Sequence, residues 1–356
     1  MFHPFSESAF SSSEVGDRVQ NYRVLVTGGA GFIGSELVRQ LAALGLQVHV
    51  VDNLVNGKRE NLEGVLCENA KLTVADIRDL KAMALLFRDV DVVFHLACLD
   101  AHHSLRSPIE NQEVNASATL GLLKVARSER VGRFVHISSS EVYGMVGATA
   151  LGEDHPTQPY TVYGASKLAG EAYTRAFWHT YRYPTTVLRL FNVYGPRCRQ
   201  DDGDGVISRF MRHCLAGRPM EIFGDGKQTR DFTFVGDAAS GIVKAGLSDH
   251  CIGQTINLGS GREIKIQPLA EMIAEAVGKP SAEITYSQPR EGDVVRLLCD
   301  NSKARKLLQF DATIGLREGL AQLRDWYSTQ GHSAETLPQQ QIDGDREFRD
   351  IPTNAA

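Results

Sequence analysis

Apolar positions along the chain alternate between two textures. Residues 22–27 (YRVLVT) form a short apolar run ending in Gly28-Gly29, a pattern that predicts a strand buried in a parallel sheet. Over residues 32–44, Ile33, Leu37, Leu41 and Leu44 fall at helical spacing until Gly45 stops the helix. The alternation continues, with strands predicted over 47–51, 72–74, 92–96, 134–138 and 186–190, and helices over 80–87, 110–127 and 163–181. Repeated β-α units predict an α/β fold in which a doubly wound parallel sheet of Rossmann type is covered on both faces by helices. That unit is expected over residues 21–190. Past Pro196 the loops lengthen and glycines (Gly203, Gly205, Gly224, Gly226) interrupt shorter elements. A smaller C-terminal α/β substrate domain is therefore expected over 191–330, with some chain returning to the sheet. It would sit over the C-terminal edge of the strands, where open α/β sheets bind ligands.

Composition narrows the function classes. With 42% hydrophobic and 23% charged residues the chain reads as soluble and globular. A net charge of −5 argues against nucleic-acid binding, which needs a basic face. Six cysteines, with no C-x-x-C pair among them, fit neither a zinc ribbon nor a disulfide framework. A reducing, cytoplasmic location is expected. Residues 1–20 are rich in Ser and Glu, with no basic start and no apolar run, and read as a disordered arm. Residues 331–356 read as a flexible polar tail. No apolar stretch approaches the length of about 18 residues that crosses a membrane.

The first chemical motif is the turn after the first strand. Gly28, Gly31 and Gly34 form G-x-x-G-x-x-G between a strand and a helix. Glycine there supplies backbone angles closed to other residues and bare backbone where a pyrophosphate meets a helix N-terminus. Asp52 ends the second strand. A carboxylate at that point can accept both ribose hydroxyls of an adenosine and repels a 2′-phosphate, so NAD is expected rather than NADP. Lys58 and Arg59 nearby are the opposing signal. Asp76 ends the third strand and is expected at the adenine edge. Phe32, Ile33, Asn53, Ile77, Leu96 and Ala97 complete the expected cofactor lining.

The second motif is Y-x-x-x-K, Tyr163 to Lys167, opening an apolar helix so that both side chains share one face. A phenol with an ordinary pKa of about 10 is a poor base. An adjacent ammonium, with the positive nicotinamide ring of NAD, is expected to lower it into working range. Both residues are expected to touch the cofactor as well. Ser138-Ser139-Ser140 closes an earlier strand and supplies a hydroxyl to hydrogen-bond a substrate oxygen. Ser139 is the expected donor, with Ser140 the alternative.

These motifs occur in order with HLA (95–97), Asn115, SSSEVYG (138–144), RLFNVYGP (189–196), FGDGKQTRDF (223–232) and PREGD (289–293). Over residues 22–328 the chain resembles the extended short-chain dehydrogenase/reductase family, in its nucleotide-sugar epimerase and dehydratase branch. The resemblance implies that Tyr163 takes a proton from a sugar hydroxyl while NAD, tightly bound and recycled, takes the hydride, usually from C4. The 4-keto sugar then either turns over and is reduced on its other face or loses a neighbouring group. It also implies that Asn192, Arg230 and Arg290 meet the diphosphate, that Asp293 meets the nucleotide ribose, and that the segment ending at Phe223 lies along the base.

Glu141 departs from typical 4-epimerases of the family, which carry a small or neutral residue there. In 4,6-dehydratases and sugar-acid decarboxylases the position is commonly Glu, acting in dehydratases as the base at C5. A purely structural carboxylate at a strand end is the other reading. Against a dehydratase, Ser140 stands where many such enzymes carry an acidic Asp, and PREGD resembles UDP-sugar 4-epimerases. Adjacent His102 and His103 point apart, which argues against a metal. His103 is expected at the substrate, and Cys98 to pack near the nicotinamide. The expected activity is 4-epimerisation of a UDP-hexose. A 4,6-dehydratase or related eliminating enzyme is the second reading, and a non-catalytic NAD-binding sensor the third. A homodimer is expected through helices 110–127 and 163–181, whose apolar stripes include Leu120, Leu123, Leu168 and Phe177.

Overall fold

The computed structural model describes residues 22–145, 147, 149–198, 205–289 and 294–330. Arg290 and Asp293, the expected arm and the expected tail lie outside them. Seven strands form the central sheet: β1 Arg23–Thr27, β2 Gln47–Asp52, β3 Ala70–Val74, β4 Val92–His95, β5 Arg133–Ser139, β6 Thr185–Leu190 and β7 Thr255–Leu258. Their spatial order is β3-β2-β1-β4-β5-β6-β7 and every pairing is parallel. The order reverses between β1 and β4, and that switch point opens a crevice at the strands' C-terminal ends.

Strand alternation sorts the core into two layers. Val24 and Val26 of β1 join Leu37, Val38 and Leu41 of helix Phe32–Ala43, and Ile242 of helix Val235–Leu247, on one face. Leu25 faces the other way, toward Met83, Leu122 and Phe177. Helix Val235–Leu247 and β7 come from beyond residue 190 yet cover and extend the sheet. A separate cluster around Phe210, Met220, Leu269, Ile273 and Leu323 forms the core of the C-terminal lobe. Short strand pairs frame that lobe, among them Met220–Phe223 with Ile284–Ser287.

Two expectations change. The helix expected over 110–127 is a composite: helix Pro108–Gln112, a π-helical turn Glu113–Ser117, and helix Ala118–Ser128. The wide turn carries Asn115, fully buried, whose Oδ1 accepts from Leu99 N–H at 2.8 Å and whose Nδ2 donates to the Leu99 carbonyl at 2.8 Å. A polar side chain crossing to another loop, rather than Gly or Pro, breaks the regular period. The apolar stripes are the second correction. Leu123 and Phe177 are buried in the sheet-facing layer and Leu168 is half-buried, so of the four residues named only Leu120 is exposed. Outward apolar side chains are instead Ile109, Leu120, Tyr173 and Tyr181. Arg127 lies over the Tyr181 ring at 4.1 Å and ties the two helices together.

Helix Val162–Tyr181 is docked on the sheet by a buried ion pair. Glu171 and Arg189 are both about fully buried. The Arg189 Nε donates to Glu171 Oε2 at 3.0 Å and its Nη2 to Oε1 at 2.5 Å. Ser138 adds a bond to Glu171 at 3.1 Å, and Arg189 Nη1 reaches the Tyr143 hydroxyl at 2.8 Å, which donates on to Asn257. Removing one partner strands a buried charge. Glu171→Ala is expected to lower stability by about 3–5 kcal/mol in urea unfolding. A loss below about 1 kcal/mol, the range of an exposed pair, would show that the pair does not dock the helix.

Candidate active site

Gly28 sits at φ +71°, and a Cβ there would lie 2.6 Å from the Ala97 nitrogen. A Cβ on Gly34 would meet the Gly28 carbonyl at 2.1 Å. Glycine thus lets the turn press against the end of β4 and lets the helix press against the turn. Gly31 caps helix Phe32–Ala43 with no side chain of its own. The first helical N–H groups are left for an anion, as a bound dinucleotide requires. They open into a cavity of about 860 Å³. Every cofactor position expected from the sequence lines it, from the glycine turn through Asp52, Asn53, Asp76 and Ile77 to Leu96 and Ala97.

Asp52 is buried and accepts from Ala30 N–H at 2.9 Å and Leu54 N–H at 2.8 Å. Burial raises its pKa, and those two backbone bonds oppose the rise. A carboxylate has about four acceptor positions, so two remain for ribose hydroxyls. Asp76 lines the cavity already paired. Arg78 grips it through Nε at 3.0 Å and Nη2 at 2.8 Å, and Asn53 donates at 3.3 Å. The Arg78 hydrogen bond holds its pKa down at about 2. At this point the cavity wall presents a neutralised pair, and Arg78, which sequence reading passed over, lines the cavity beside Asp76. Arg78 continues to Glu110 at 3.3 Å, and Glu110 to His103 Nε2 at 3.1 Å. His103 does line the cavity, but its ring is tied into this chain.

Tyr163, Lys167, Ser139, Ser140 and Glu141 line the same cavity, together with Asn192 and Arg230. Asn192 donates to the Asp231 carbonyl at 2.9 Å, and Arg230 donates to the Thr229 carbonyl at 2.9 Å. Phe223 does not line it. Its ring lies under the Arg209 guanidinium at 5.1 Å. Arg290 and Asp293 lie outside the described residues.

The catalytic helix begins at a strong cap. Thr161 Oγ1 accepts from Gly164 N–H at 2.9 Å and donates to Glu141 Oε2 at 2.8 Å. Ser139 Oγ accepts from Glu141 N–H at 3.2 Å as the chain turns out of β5. Lys167 is buried, and its ammonium donates to the Ile137 carbonyl at 2.5 Å. Burial lowers the Lys167 pKa, against the pull of Cys98 and Glu171. The phenol departs from expectation. Burial pushes the Tyr163 pKa well above its ordinary value; Cys98, Glu141 and Asp100 push the same way, and only its bond with Ser139 opposes them. The chain's own residues thus favour the protonated form of Tyr163. Glu141 is exposed at the mouth of the cavity, with its carboxylate held against Thr161. Desolvation raises its pKa, with the Thr161 bond opposing.

Beneath Lys167 lies a layer that the sequence did not announce. His95 is buried between Thr27 Oγ1 at 2.8 Å and Thr119 Oγ1 at 2.9 Å. Burial, then the Lys167 charge, drives its pKa down to about 3. His136 stacks 5.5 Å away and is held neutral by the same causes. Neutral imidazoles leave the ammonium as the positive charge at that depth. The available signal was the placement of a His in each of two adjacent apolar strands.

A family model described as GDP-mannose 4,6 dehydratase matches residues 25–323. A UDP-glucose 4-epimerase of Mycolicibacterium smegmatis is 39% identical over 86% of this chain and 98% of its own length. UDP-glucuronic acid decarboxylase 1 of Arabidopsis thaliana is 35% identical over 90% of this chain and 75% of its own. The crystal structure of a UDP-glucuronic acid 4-epimerase from Bacillus cereus, in complex with UDP-glucuronic acid and NAD, superposes with a TM-score of 0.81. It shares 32% identity and covers 86% of this chain and 99% of that one. Matched through both lobes, the chain belongs to the extended short-chain dehydrogenase/reductase family, among its NAD-dependent nucleotide-sugar epimerases and dehydratases.

Proposed function

We propose that the protein is an NAD-dependent 4-epimerase of a UDP-hexose. The observation that carries this reading is the engagement of Glu141. Its carboxylate accepts from Thr161, the helix cap, while Tyr163 and Ser139 form the polar pair opposite the glycine turn. Inverting one carbon by oxidation and re-reduction needs that pair and no second base. Tyr163 removes the proton from the C4 hydroxyl, and Ser139 hydrogen-bonds the same oxygen. NAD, which the glycine turn and Asp52 would hold, would accept the C4 hydride and give it back in the re-reduction. Lys167 fixes the local charge from below. After the keto sugar turns over, Tyr163 returns the proton. Asn192 and Arg230, on the cavity wall, meet the diphosphate. The relatives named for UDP-sugar 4-epimerisation support the substrate class.

An eliminating reaction is the second reading. It is favoured by the raised pKa of Glu141 at the cavity wall and by the decarboxylase among the relatives. We further propose a cytoplasmic homodimer. Outward Ile109, Leu120, Tyr173 and Tyr181 on the two adjoining helical segments support it.

Three outcomes are expected. UDP-glucose incubated with the NAD-loaded enzyme in D2O yields the C4-inverted sugar with no deuterium at C5. Deuterium at C5, or a 4-keto-6-deoxy product, would establish the second reading instead. Tyr163→Phe lowers kcat by ~100-fold or more, the usual loss of a general base, while retaining NAD on gel filtration. Retention of a tenth of wild-type turnover would reject Tyr163 as the base. Sedimentation at micromolar concentration gives a dimer that Tyr173→Asp dissociates, and a wild-type monomer would refute the interface.

A further inference from the structure

The strand end that carries Ser139 and the helix that carries Tyr163 come from separate parts of the chain. Their alignment to within ångströms needs a brace. Glu141 touches both sides. Its backbone N–H donates to Ser139 Oγ at 3.2 Å. Its carboxylate accepts from Thr161 Oγ1 at 2.8 Å, and the same oxygen of Thr161 accepts from Gly164 N–H at 2.9 Å. Its backbone carbonyl presses on the first helical turn, where a Cβ on Gly164 would lie 2.8 Å from that oxygen. Three contacts, two polar and one steric, run from one residue to Ser139, to the cap and to the residue after Tyr163.

We propose that Glu141 is a positioning residue, which holds the cap of the catalytic helix through Thr161 and thereby sets the Tyr163 phenol against Ser139. The side chain acts as an acceptor, so a neutral amide of the same shape can replace it. This accounts for a carboxylate at a position where a 4-epimerase needs no base. It holds whichever reaction follows, because proton removal by Tyr163 comes first in both.

The test uses the full chain loaded with NAD and given UDP-glucose, read as the pre-steady-state appearance of reduced nicotinamide. Glu141→Ala and Thr161→Val are each expected to slow that step by about 30-fold, the scale of an ångström-size misplacement, with KM little changed. The double variant should be no slower than either alone, since both break one brace. Glu141→Gln, whose amide oxygen still accepts from Thr161, should recover to within about threefold. Amide exchange at Gly164, measured on the protein alone, should quicken about fivefold in Glu141→Ala and Thr161→Val, as loss of a cap predicts, and stay at the wild-type rate in Glu141→Gln.

Charge gives a second readout. Glu141 raises the phenol pKa, so Glu141→Gln shifts the ascending limb of the rate–pH profile to lower pH, while Thr161→Val, which keeps the charge, does not. Cys98 and Asp100 from the loop after β4, and Lys167 one turn along the helix, also face the phenol and are unchanged in these variants. Glu141→Gln as slow as Glu141→Ala, losses that multiply in the double variant, or wild-type exchange at Gly164 in Glu141→Ala would each overturn the proposal. The reduction step precedes both product outcomes. A 4-keto-6-deoxy product would therefore sink the epimerase reading and leave this one standing. If UDP-glucose fails to reduce the cofactor, the exchange measurement alone decides.

Discussion

The buried pairing of Glu171 with Arg189 is the constraint on which the active site depends. A sheet of parallel strands offers helices a slippery apolar surface, and apolar packing alone tolerates small slides. Two parallel charge-assisted bonds do not, because their geometry is fixed at both ends. Glu171 lies one helical turn beyond Lys167, and Arg189 lies in β6 beside Ser138 of β5. The pair thus fixes the helix in the same register that brings Tyr163 over the strand end. Desolvating two charges is costly. Here Ser138, Tyr143 and Asn257 satisfy the remaining donors and acceptors, so the network has no open member on the sheet side.

Around that anchor the polarity is layered. Neutral His95 and His136 form the floor, Lys167 the single ammonium above them, and Tyr163 the phenol at the cavity wall. Within the chain alone, burial, and then Cys98, Glu141 and Asp100 facing it, hold the phenol in its protonated form.

The elements most legible in the sequence were those governed by local rules. Short apolar runs gave the strands 22–27, 92–96 and 186–190 to within a residue or two, because burial on both faces leaves no alternation to misread. The glycine turn and Y-x-x-x-K were legible because their chemistry demands particular residues at fixed spacing. What escaped was set by partners remote in sequence. The π-helical turn at Glu113–Ser117 follows from Asn115 bonding to Leu99, and nothing in the helical period records it. Leu123 and Phe177 are apolar at helical spacing, yet periodicity does not say which side of a helix meets the sheet. The pairing of Asp76 turned on Arg78 two residues on, a basic neighbour that the reading of the strand end passed over.

The chain of charges from Asp76 through Arg78 and Glu110 to His103 changes how the histidine pair should be understood. Read by itself, His103 is a candidate for the sugar. Tied to Glu110, it becomes the far end of a strap that begins beside Asn53, where the second strand meets the cofactor cavity. The links are half-exposed, so each contributes little to stability. What they fix is geometry, since the loop of Cys98 and Asp100 hangs from the same short helix, Ala101–Arg106, whose first turn Asp100 caps at 2.8 Å. The cavity wall at Asp76 and the loop of Cys98 and Asp100 are therefore joined by one run of polar contacts.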